Sequence, residues 1–217
     1  YARALTLDRV LVDETADVEP EPGWQADQKI ALVPGSRVQE IDRLFIPMLQ
    51  TASNFPDAQL RIPVANGACR KRMQELLKQH PDLPTPDLVD GRMREIVKGA
   101  DAALVTSGTA TLETALLGTP MCILYKTSAL TYAIGKRVVN VPHIGMVNLI
   151  AEREICPEFI QGDTDPGKIA TVLKPLLTSS PERKAMLQGY RDVRNALISD
   201  QQGMKVVENL IDLLRLS

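Results

Sequence analysis

The feature that most constrains this chain is a regular alternation of short apolar runs with longer segments of helical periodicity. Each run has the length and near-continuous hydrophobicity of a strand that is buried on both faces of a sheet. The intervening segments are long enough for crossover helices, so consecutive strands are predicted to be parallel. The predicted fold class is therefore α/β, a doubly wound parallel sheet. The predicted strands are Ile30–Val33, Leu60–Val64, Leu88–Val89, Ala102–Val105 and Met121–Tyr125.

The helices between these strands are predicted from apolar residues at helical spacing. In the first helix such residues recur from Ile41 to Leu49. Pro47 is predicted to lie in its first turn, where a missing N–H has no partner to lose. Gly118 is predicted to end the last of these helices as a left-handed C-terminal cap. The other predicted helices are Arg70–Gln79, Arg92–Gly99 and Thr111–Leu117.

The flanking segments divide the chain into three predicted regions. Val10–Val12 is predicted to be a short strand, and the acidic, proline-containing stretch 13–27 is predicted to be a linker, with order beginning at Lys29. The predicted regions are an N-terminal segment with this linker over 1–28, a Rossmann-like domain over 29–177, and a helical C-terminal extension over 178–217.

The C-terminal third is predicted to be helical and to contain no strands. Asp165 is expected to be a helix N-cap with Pro166 at the first position. Ser179 and Glu182 match a capping box at the start of the next helix. Tyr132–Val139 is an amphipathic, basic stretch, and further helices are predicted at Asn148–Glu154 and Val206–Leu214.

Composition excludes several classes of function. The net charge of −2 offers no overall field that attracts nucleic acid. The three cysteines are widely spaced and only two histidines occur, so neither a disulfide framework nor a zinc site is supported and a reducing, cytoplasmic compartment is expected. No apolar run is long enough to cross a membrane. The chain starts at Tyr1, which suggests a piece of a longer protein.

Two loops at predicted strand ends are candidates for ligand binding. In open parallel sheets, ligands bind where the carboxyl ends of strands meet at a switch in strand order. The first loop, Pro34–Arg37, combines Gly35, whose backbone a ligand can approach closely, with Ser36 and the forked guanidinium of Arg37. Glu40 follows one turn later and is predicted to orient Arg37 or to meet a ligand hydroxyl. A plain strand–turn–helix junction is the alternative.

The second candidate loop precedes the helix that holds Glu113. It contains Ser107, Gly108, Thr109, Ala110 and Thr111. Free backbone N–H groups and the positive end of the helix dipole suit a diphosphate. Glu113, expected within the first turn, is predicted to accept hydrogen bonds from ribose hydroxyls; a favourable charge near a helix start is the alternative. Together the two loops predict an anion-binding cleft.

Other motifs in the sequence are weaker. The stretch Gly162–Lys168 matches the glycine-rich phosphate-binding pattern, but Ile169 stands where Ser or Thr is required. Asp163 and Asp165 are spaced like a metal-binding pair, yet capping explains Asp165 without a metal. No metal or other cofactor is therefore expected.

The combination of these motifs, in this order, resembles the C-terminal domain of the lipid-A-disaccharide synthases, which belong to the GT-B glycosyltransferases. The resemblance covers about residues 29–177. The matching elements are Leu32–Arg37 with Glu40, Asp101–Leu104 followed by Ser107–Glu113, and Tyr125–Lys126 with Thr131, Lys136–Arg137, Asn148–Ile150 and Glu154.

The resemblance implies a reaction and a division of labour. The family transfers 2,3-diacylglucosamine from UDP to 2,3-diacylglucosamine 1-phosphate with inversion, and the C-terminal domain holds the UDP-sugar. By this resemblance Ser36 and Arg37 meet the diphosphate or sugar, the backbone of the second loop holds phosphate, and Glu113 holds the ribose. Tyr125 and Lys126 border the base or sugar, and Asn148 reaches the donor from a later loop.

The resemblance also implies what this chain does not supply. The proposed catalytic carboxylate and the lipid acceptor belong to the family's N-terminal domain, so this chain alone is expected to bind UDP without measurable transfer. Leu130 and Ala133 stand where bulkier aromatic residues are expected, which puts acyl-chain contacts of that stretch in doubt. A homodimer is implied, and Leu130–Val139 is either a membrane-surface element or a core-packed helix.

Two other functions fit the sequence. The chain is also compatible with the donor domain of another UDP-GlcNAc-using enzyme of this fold, such as a hydrolysing 2-epimerase or a different transferase. The third hypothesis is a non-catalytic Rossmann module that serves dimerisation through its helical tail.

Overall fold

A computed structural model describes Val12, residues 14–126 and residues 143–198, and it consists of a six-stranded parallel sheet with helices on both faces. The strands are β1 (Lys29–Val33), β2 (Gln59–Val64), β3 (Asp87–Asp90), β4 (Ala102–Thr106), β5 (Met121–Tyr125) and β6 (Glu158–Ile160). The helices are α1 (Val38–Ala52), α2 (Gly67–Gln79), α3 (Met93–Gly99), α4 (Thr109–Leu117), α5 (Met146–Ala151), α6 (Pro166–Leu176) and α7 (Pro181–Ile198), with a 3₁₀ turn at Gln161–Asp163.

The strand order is β3-β2-β1-β4-β5-β6, and every pairing is parallel. The chain builds outward from β1 to β3, returns to place β4 beside β1, and then builds outward on the other side. This reversal leaves a crevice at the carboxyl ends of β1 and β4, where Val33 and Val105 pair in register. The predicted fold class and all five predicted strands are confirmed.

The core is the apolar layer on each side of the central strands. Ile30, Leu32 and Leu104 are fully buried, as expected for strands that are covered on both faces. The predicted apolar face of α1 is also buried, with Ile41 and Phe45 completely inaccessible. The sheet ends that hold the candidate loops are thereby fixed to a rigid, close-packed support.

Pro47 lies in the interior of α1 and not in its first turn as predicted. The helix already begins at Val38. Glu40 lies in its first turn, where its carboxylate accepts a hydrogen bond from the Arg37 N–H just before the helix. A proline within a helix removes one backbone hydrogen bond, at a cost of about 3 kcal/mol in an unsupported helix. Burial of the neighbouring Phe45 and Met48 offsets this cost, and the helix continues to Ala52.

The prediction of a C-terminal third without strands is wrong, because Glu158–Ile160 forms the edge strand β6 beside β5. Three residues are too few to show an alternating pattern, and Pro157 and Glu158 both disfavour strands in general. The N-terminal strand predicted at Val10–Val12 is also wrong for Val12, which is helical; the other two residues lie outside the described part.

The predicted helix starts in the C-terminal region are partly confirmed. Asp165 is the N-cap of α6, and its carboxylate accepts a hydrogen bond from the Lys168 N–H at 2.8 Å. The cap of α7 is Ser180 and not Ser179, because the Ser180 hydroxyl accepts from the Arg183 N–H at 3.0 Å. The predicted segments Tyr132–Val139 and Val206–Leu214 lie outside the described residues.

The segment before β1 packs against the domain, although order was predicted to begin only at Lys29. The Trp24 ring lies over the Arg61 guanidinium, 5.5 Å from its carbon to the ring centroid. A side chain at Gly99 would clash with this ring at 2.5 Å. The Glu21 N–H donates to the Glu95 carbonyl at 3.0 Å.

Within the described residues, no helix combines the length and hydrophobicity that a membrane crossing requires.

Candidate functional site

A cleft of about 590 Å³ opens at the carboxyl edge of the sheet, where β1 and β4 are neighbours. The turn after β1 and the turn after β4 form its two main walls. Val64 at the end of β2 and Arg92 after β3 border the remaining side. The predicted site residues that the structure brings together here are Gly35, Ser36, Arg37, Glu40, Ser107, Gly108, Thr109 and Ala110.

The turn after β1 is shaped by the Glu40 carboxylate. One of its oxygens accepts hydrogen bonds from the backbone N–H groups of Ser36 at 2.9 Å and Arg37 at 3.2 Å. These N–H groups would otherwise lack partners at the start of α1. Glu40 thus holds the loop in shape, and its other oxygen contacts the Arg37 guanidinium at 3.3 Å, which supports its predicted role of orienting Arg37.

The opposite side of the same turn is held by α2. The Ser36 carbonyl accepts hydrogen bonds from the Asn66 side-chain amide at 3.1 Å and from the Cys69 thiol at 3.4 Å. Burial raises the pKa of the Cys69 thiol, so it stays protonated and able to donate. Sequence reasoning missed Asn66, although an asparagine just before a helical pattern is a typical N-cap, which is what it is in α2.

Among the described residues, the cations that line the cleft are Arg37 and Arg92. The Arg37 side chain is 80% exposed, so its ion pair with Glu40 adds little stability and leaves the guanidinium able to turn towards an anion. Arg92 was missed as a site residue. Its guanidinium lies 2.8 Å from both carboxylate oxygens of Glu21, which ties the N-terminal segment to the rim of the cleft.

The turn after β4 presents the N-terminus of α4 to the cleft. Gly108 has a φ of 154° and a ψ of −165°, a conformation that other residues rarely adopt, and α4 begins directly after it at Thr109. The N–H groups of a first helical turn have no partners within the helix, and the helix dipole is positive here. The Ser107 hydroxyl does not point its proton at a ligand, because it donates to the Ile144 carbonyl at 2.7 Å.

Thr111 and Asn148 support the cleft from behind and do not line it. The buried Thr111 hydroxyl donates to the Gly108 carbonyl at 2.8 Å and accepts from the Met146 N–H at 3.2 Å. Asn148 is fully buried, and its amide bonds both the backbone at Cys156 and the carboxylate of Glu158 at 2.7 to 2.9 Å. The predicted reach of Asn148 to the donor is therefore not seen, because these contacts hold it inside the protein.

Glu158 also belongs to this support, and it was missed by sequence reasoning. Besides the Asn148 amide, its carboxylate accepts hydrogen bonds from the Ile144 and Gly145 N–H groups, each at 2.9 Å. The Ile144 carbonyl in turn accepts a hydrogen bond from the Ser107 hydroxyl. Glu158 is therefore connected through Ile144 to a residue that lines the cleft. No sequence signal marked it, since β6 itself was not predicted.

Glu113 lies in the second turn of α4 and not in the first, because the helix begins two residues earlier than predicted. It does not line the cleft. Its carboxylate accepts a hydrogen bond from the Arg94 guanidinium at 2.9 Å, and Arg94 also contacts Glu14 at 2.6 Å. The ribose contact of Glu113 stays a prediction.

Tyr125 and Lys126 lie at the end of β5, one strand further from β1 than the cleft. Tyr125 pairs in register with Ile160 of β6, and neither of the two lines the cleft. Their predicted contacts with base or sugar stay predictions.

Across the described ranges, no group of three or more His, Cys, Asp and Glu side chains is arranged to hold a metal ion.

The family assignment comes from comparison with known proteins. The family model of lipid-A-disaccharide synthetase matches residues 11–208, which is most of the chain. The chain belongs to this family. Its lipid-A-disaccharide synthase relatives include those of Anaeromyxobacter sp. (strain K), 41% identical over 190 residues, and of Neisseria meningitidis serogroup A, 41% identical over 175 residues. The resemblance deduced from the motifs is thereby confirmed.

This lipid-A-disaccharide synthase family member spans about half the length of the curated relatives it matches. The alignments cover 86% of the chain and 49% of the Anaeromyxobacter relative, and 78% of the chain and 46% of the Neisseria relative. The family-model match over residues 11–208 contains both loops of the cleft.

Solved structures show that the family member shares its fold with glycosyltransferases. The structure of WaaG, a glycosyltransferase involved in lipopolysaccharide biosynthesis, aligns with a TM-score of 0.51 at 16% identity over 95% of this chain and 50% of WaaG. An S. aureus TarM variant in complex with Fondaparinux, alpha-GlcNAc-glycerol and UDP aligns with a TM-score of 0.54 at 9% identity over 90% of this chain and 37% of TarM.

Proposed function

We propose that this chain is the donor-binding half of an inverting glycosyltransferase that transfers 2,3-diacylglucosamine from UDP to 2,3-diacylglucosamine 1-phosphate. The observation that carries the proposal is the cleft at the switch in strand order, where an exposed arginine faces a helix N-terminus. Membership of the lipid-A-disaccharide synthase family supports the choice of substrates.

The cleft supplies what the diphosphate of a nucleotide-sugar requires. When the bond from the anomeric carbon to the diphosphate breaks, negative charge builds up on the leaving phosphate. The N–H groups at the start of α4 are already oriented, and Arg37 is free to donate two hydrogen bonds to phosphate oxygens. Preorganised donors of this kind stabilise developing charge, and we propose that they do so here without a metal ion.

We propose that Glu113 binds the ribose of the donor. It lies one turn inside the helix whose N-terminus meets the cleft, and the Arg94 contact fixes one carboxylate oxygen in place. The other oxygen is then the one that accepts from a ribose hydroxyl. A carboxylate that has been ordered by a neighbouring arginine binds a hydroxyl with a smaller loss of side-chain entropy.

We propose that the acceptor site and the catalytic carboxylate belong to the rest of the whole protein. Transfer requires donor, acceptor and base to be held together, so we propose that this chain alone binds UDP but does not catalyse transfer. We propose a cytoplasmic protein that meets its lipid substrates at the inner face of the membrane, as a homodimer.

The test of donor binding is calorimetric titration with UDP and with 2′-deoxy-UDP. Wild type is expected to bind UDP more tightly than 2′-deoxy-UDP, and Glu113→Gln is expected to lose most of this difference. Lys71→Ala, an exposed cation on α2 away from the cleft, is the control and should behave as wild type. A wild type that binds neither nucleotide contradicts the proposal, and an unchanged preference in Glu113→Gln contradicts the role of Glu113.

The substrate class is tested separately with the whole protein. Acylated and non-acylated UDP-glucosamine donors are offered with the acylated acceptor, and disaccharide formation is measured. Transfer from the acylated donor alone supports the proposal. Transfer from the non-acylated donor, or its epimerisation, would assign the cleft to a different UDP-sugar enzyme.

A further inference from the structure

Thr106 is the last residue of β4 and lies at the floor of the cleft, between the two loops. Only 6% of the residue is exposed, and within the part of the chain that the structure describes its hydroxyl has no hydrogen-bond partner. Buried hydroxyl groups are almost always hydrogen-bonded, so this one requires an explanation.

The other threonines around it show the contrast. Thr111, Thr114 and Thr119 are each buried, and each hydroxyl donates to a backbone carbonyl at 2.7 to 2.8 Å. Thr106 also follows the apolar run Ala102–Val105, where valine would have the same shape without a polar atom. A hydroxyl that is desolvated and unpaired lowers the stability of the folded protein unless something else binds it.

The position of Thr106 indicates which group binds it. Val105 pairs with Val33, so Thr106, the next residue, lies beside the point where the Pro34–Arg37 turn leaves β1, and it lines the cleft there. On its other side α4 begins three residues later and directs its free N–H groups into the same cleft. The Arg37 guanidinium and the N–H groups at the start of α4 are donors that line this cleft, and the Thr106 hydroxyl can add its own proton to them.

We propose that Thr106 is a further donor-binding residue, whose hydroxyl donates a hydrogen bond to a diphosphate oxygen of the bound nucleotide. This inference rests on the proposed function of the cleft and adds a residue to it. Thr106 is a binding residue and not a base, because none of the described residues accepts the proton of its hydroxyl.

The experiment measures both thermal stability and UDP affinity for Thr106→Val, with Thr106→Ser and Thr119→Val as matched variants. Thr106→Val removes only the hydroxyl, so without UDP its melting temperature is expected to equal or exceed that of wild type. Its UDP dissociation constant is expected to rise about tenfold, or about 1.4 kcal/mol. Thr106→Ser is expected to restore most of the affinity.

Thr119→Val shows what the loss of a structural hydroxyl looks like. Thr119 lies just beyond the C-terminal end of α4, and its hydroxyl donates to the Val97 carbonyl at 2.7 Å. The Thr119→Val variant should therefore lose stability and keep its UDP affinity. If Thr106→Val behaves in the same way, or binds UDP as wild type does, the inference is overturned while the donor cleft stands. If wild type does not bind UDP, the proposed function fails and the inference fails with it.

Discussion

Gly35 and Glu40 lie so close together that no side chain fits between them. A Cβ atom on Gly35 would be 2.8 Å from the Glu40 Cβ and 2.1 Å from one of its carboxylate oxygens, and the φ of Gly35 is 112°. Only a glycine at position 35 therefore leaves room for the Glu40 carboxylate, which accepts the hydrogen bonds that shape the turn after β1.

Gly35→Ala is expected to distort this turn, because the substitution meets both a steric clash and an unfavourable backbone conformation. We expect a loss of about 1 to 3 kcal/mol in the free energy of unfolding, measured by urea denaturation, and a UDP affinity at least about tenfold lower. Gly67→Ala is the matched control, since a Cβ there meets nothing within 4 Å. Equal affinity in Gly35→Ala and wild type would show that the turn does not bind the donor.

Arg37→Ala is expected to weaken UDP binding without changing stability. The side chain is 80% exposed and its ion pair with Glu40 is of the kind that contributes little to folding. The loss of a charge-assisted hydrogen bond to phosphate corresponds to a decrease of about 1.5 to 3 kcal/mol in binding free energy. Titrations at two salt concentrations should also show a weaker salt dependence than in wild type. A lowered melting temperature with unchanged affinity would make Arg37 a structural residue.

Asn148→Ala is expected to destabilise the protein, since every polar group of its buried amide is bonded. Its removal leaves backbone N–H groups and the Glu158 carboxylate short of partners, and we expect a loss of at least about 2 kcal/mol in the free energy of unfolding. Asn54→Ala, at the exposed end of α1, should lose much less. A stable Asn148→Ala variant that no longer binds UDP would restore the role of donor ligand predicted from the family resemblance.

A buried cluster of Cys122, Cys156 and Tyr190 is expected to make the stability of the protein decrease at alkaline pH. The Cys156 thiol lies 3.2 Å from the Tyr190 hydroxyl, and burial raises the pKa of Cys156 to about 12. Burial likewise raises the pKa of Cys122 and of Tyr190 above their ordinary values. These groups keep their protons in the folded protein at a pH where the unfolded chain loses them.

The contribution of this cluster to the free energy of unfolding is therefore expected to be constant below the ordinary thiol pKa of about 8.5 and to fall as the pH rises from there towards 12. Urea denaturation at a series of pH values measures this fall, and Cys156→Ser should show less of it. Thiol reagents should modify the native protein slowly at pH 8, because the thiolate is the reactive form. Rapid labelling of all three cysteines in the native state would contradict this account.

The sheet and the position of the cleft could be predicted because they depend on local patterns. Strands that are buried on both faces are continuous apolar runs, and a loop rich in small residues at a strand end marks a helix N-terminus. The parallel strand order then brings Arg37 and Gly108 into one cleft. The strands and the loops could be predicted without distant contacts, whereas the pairing of β1 with β4 is seen only in the structure.

The errors and omissions concern residues whose role depends on tertiary contacts. Pro47 lies inside a helix because packing around it offsets the lost hydrogen bond, and β6 exists because β5 offers it an edge. Asn148, whose contact with the donor stays a prediction, is held inside the protein by Glu158, a residue with no sequence signal of its own. Thr106 stands out only in the structure, where its hydroxyl is buried and has no hydrogen-bond partner among the described residues.

The central claim is that a nucleoside diphosphate binds between the turns after β1 and β4, and its location is tested most directly by NMR. Isotope-labelled protein is titrated with UDP while backbone amide shifts are followed. The largest shifts are predicted at Gly35 to Arg37 and at Gly108 to Ala110. Shifts confined to another cleft, such as the one that Ile155 and Met186 line, or no shifts at all, would contradict the account.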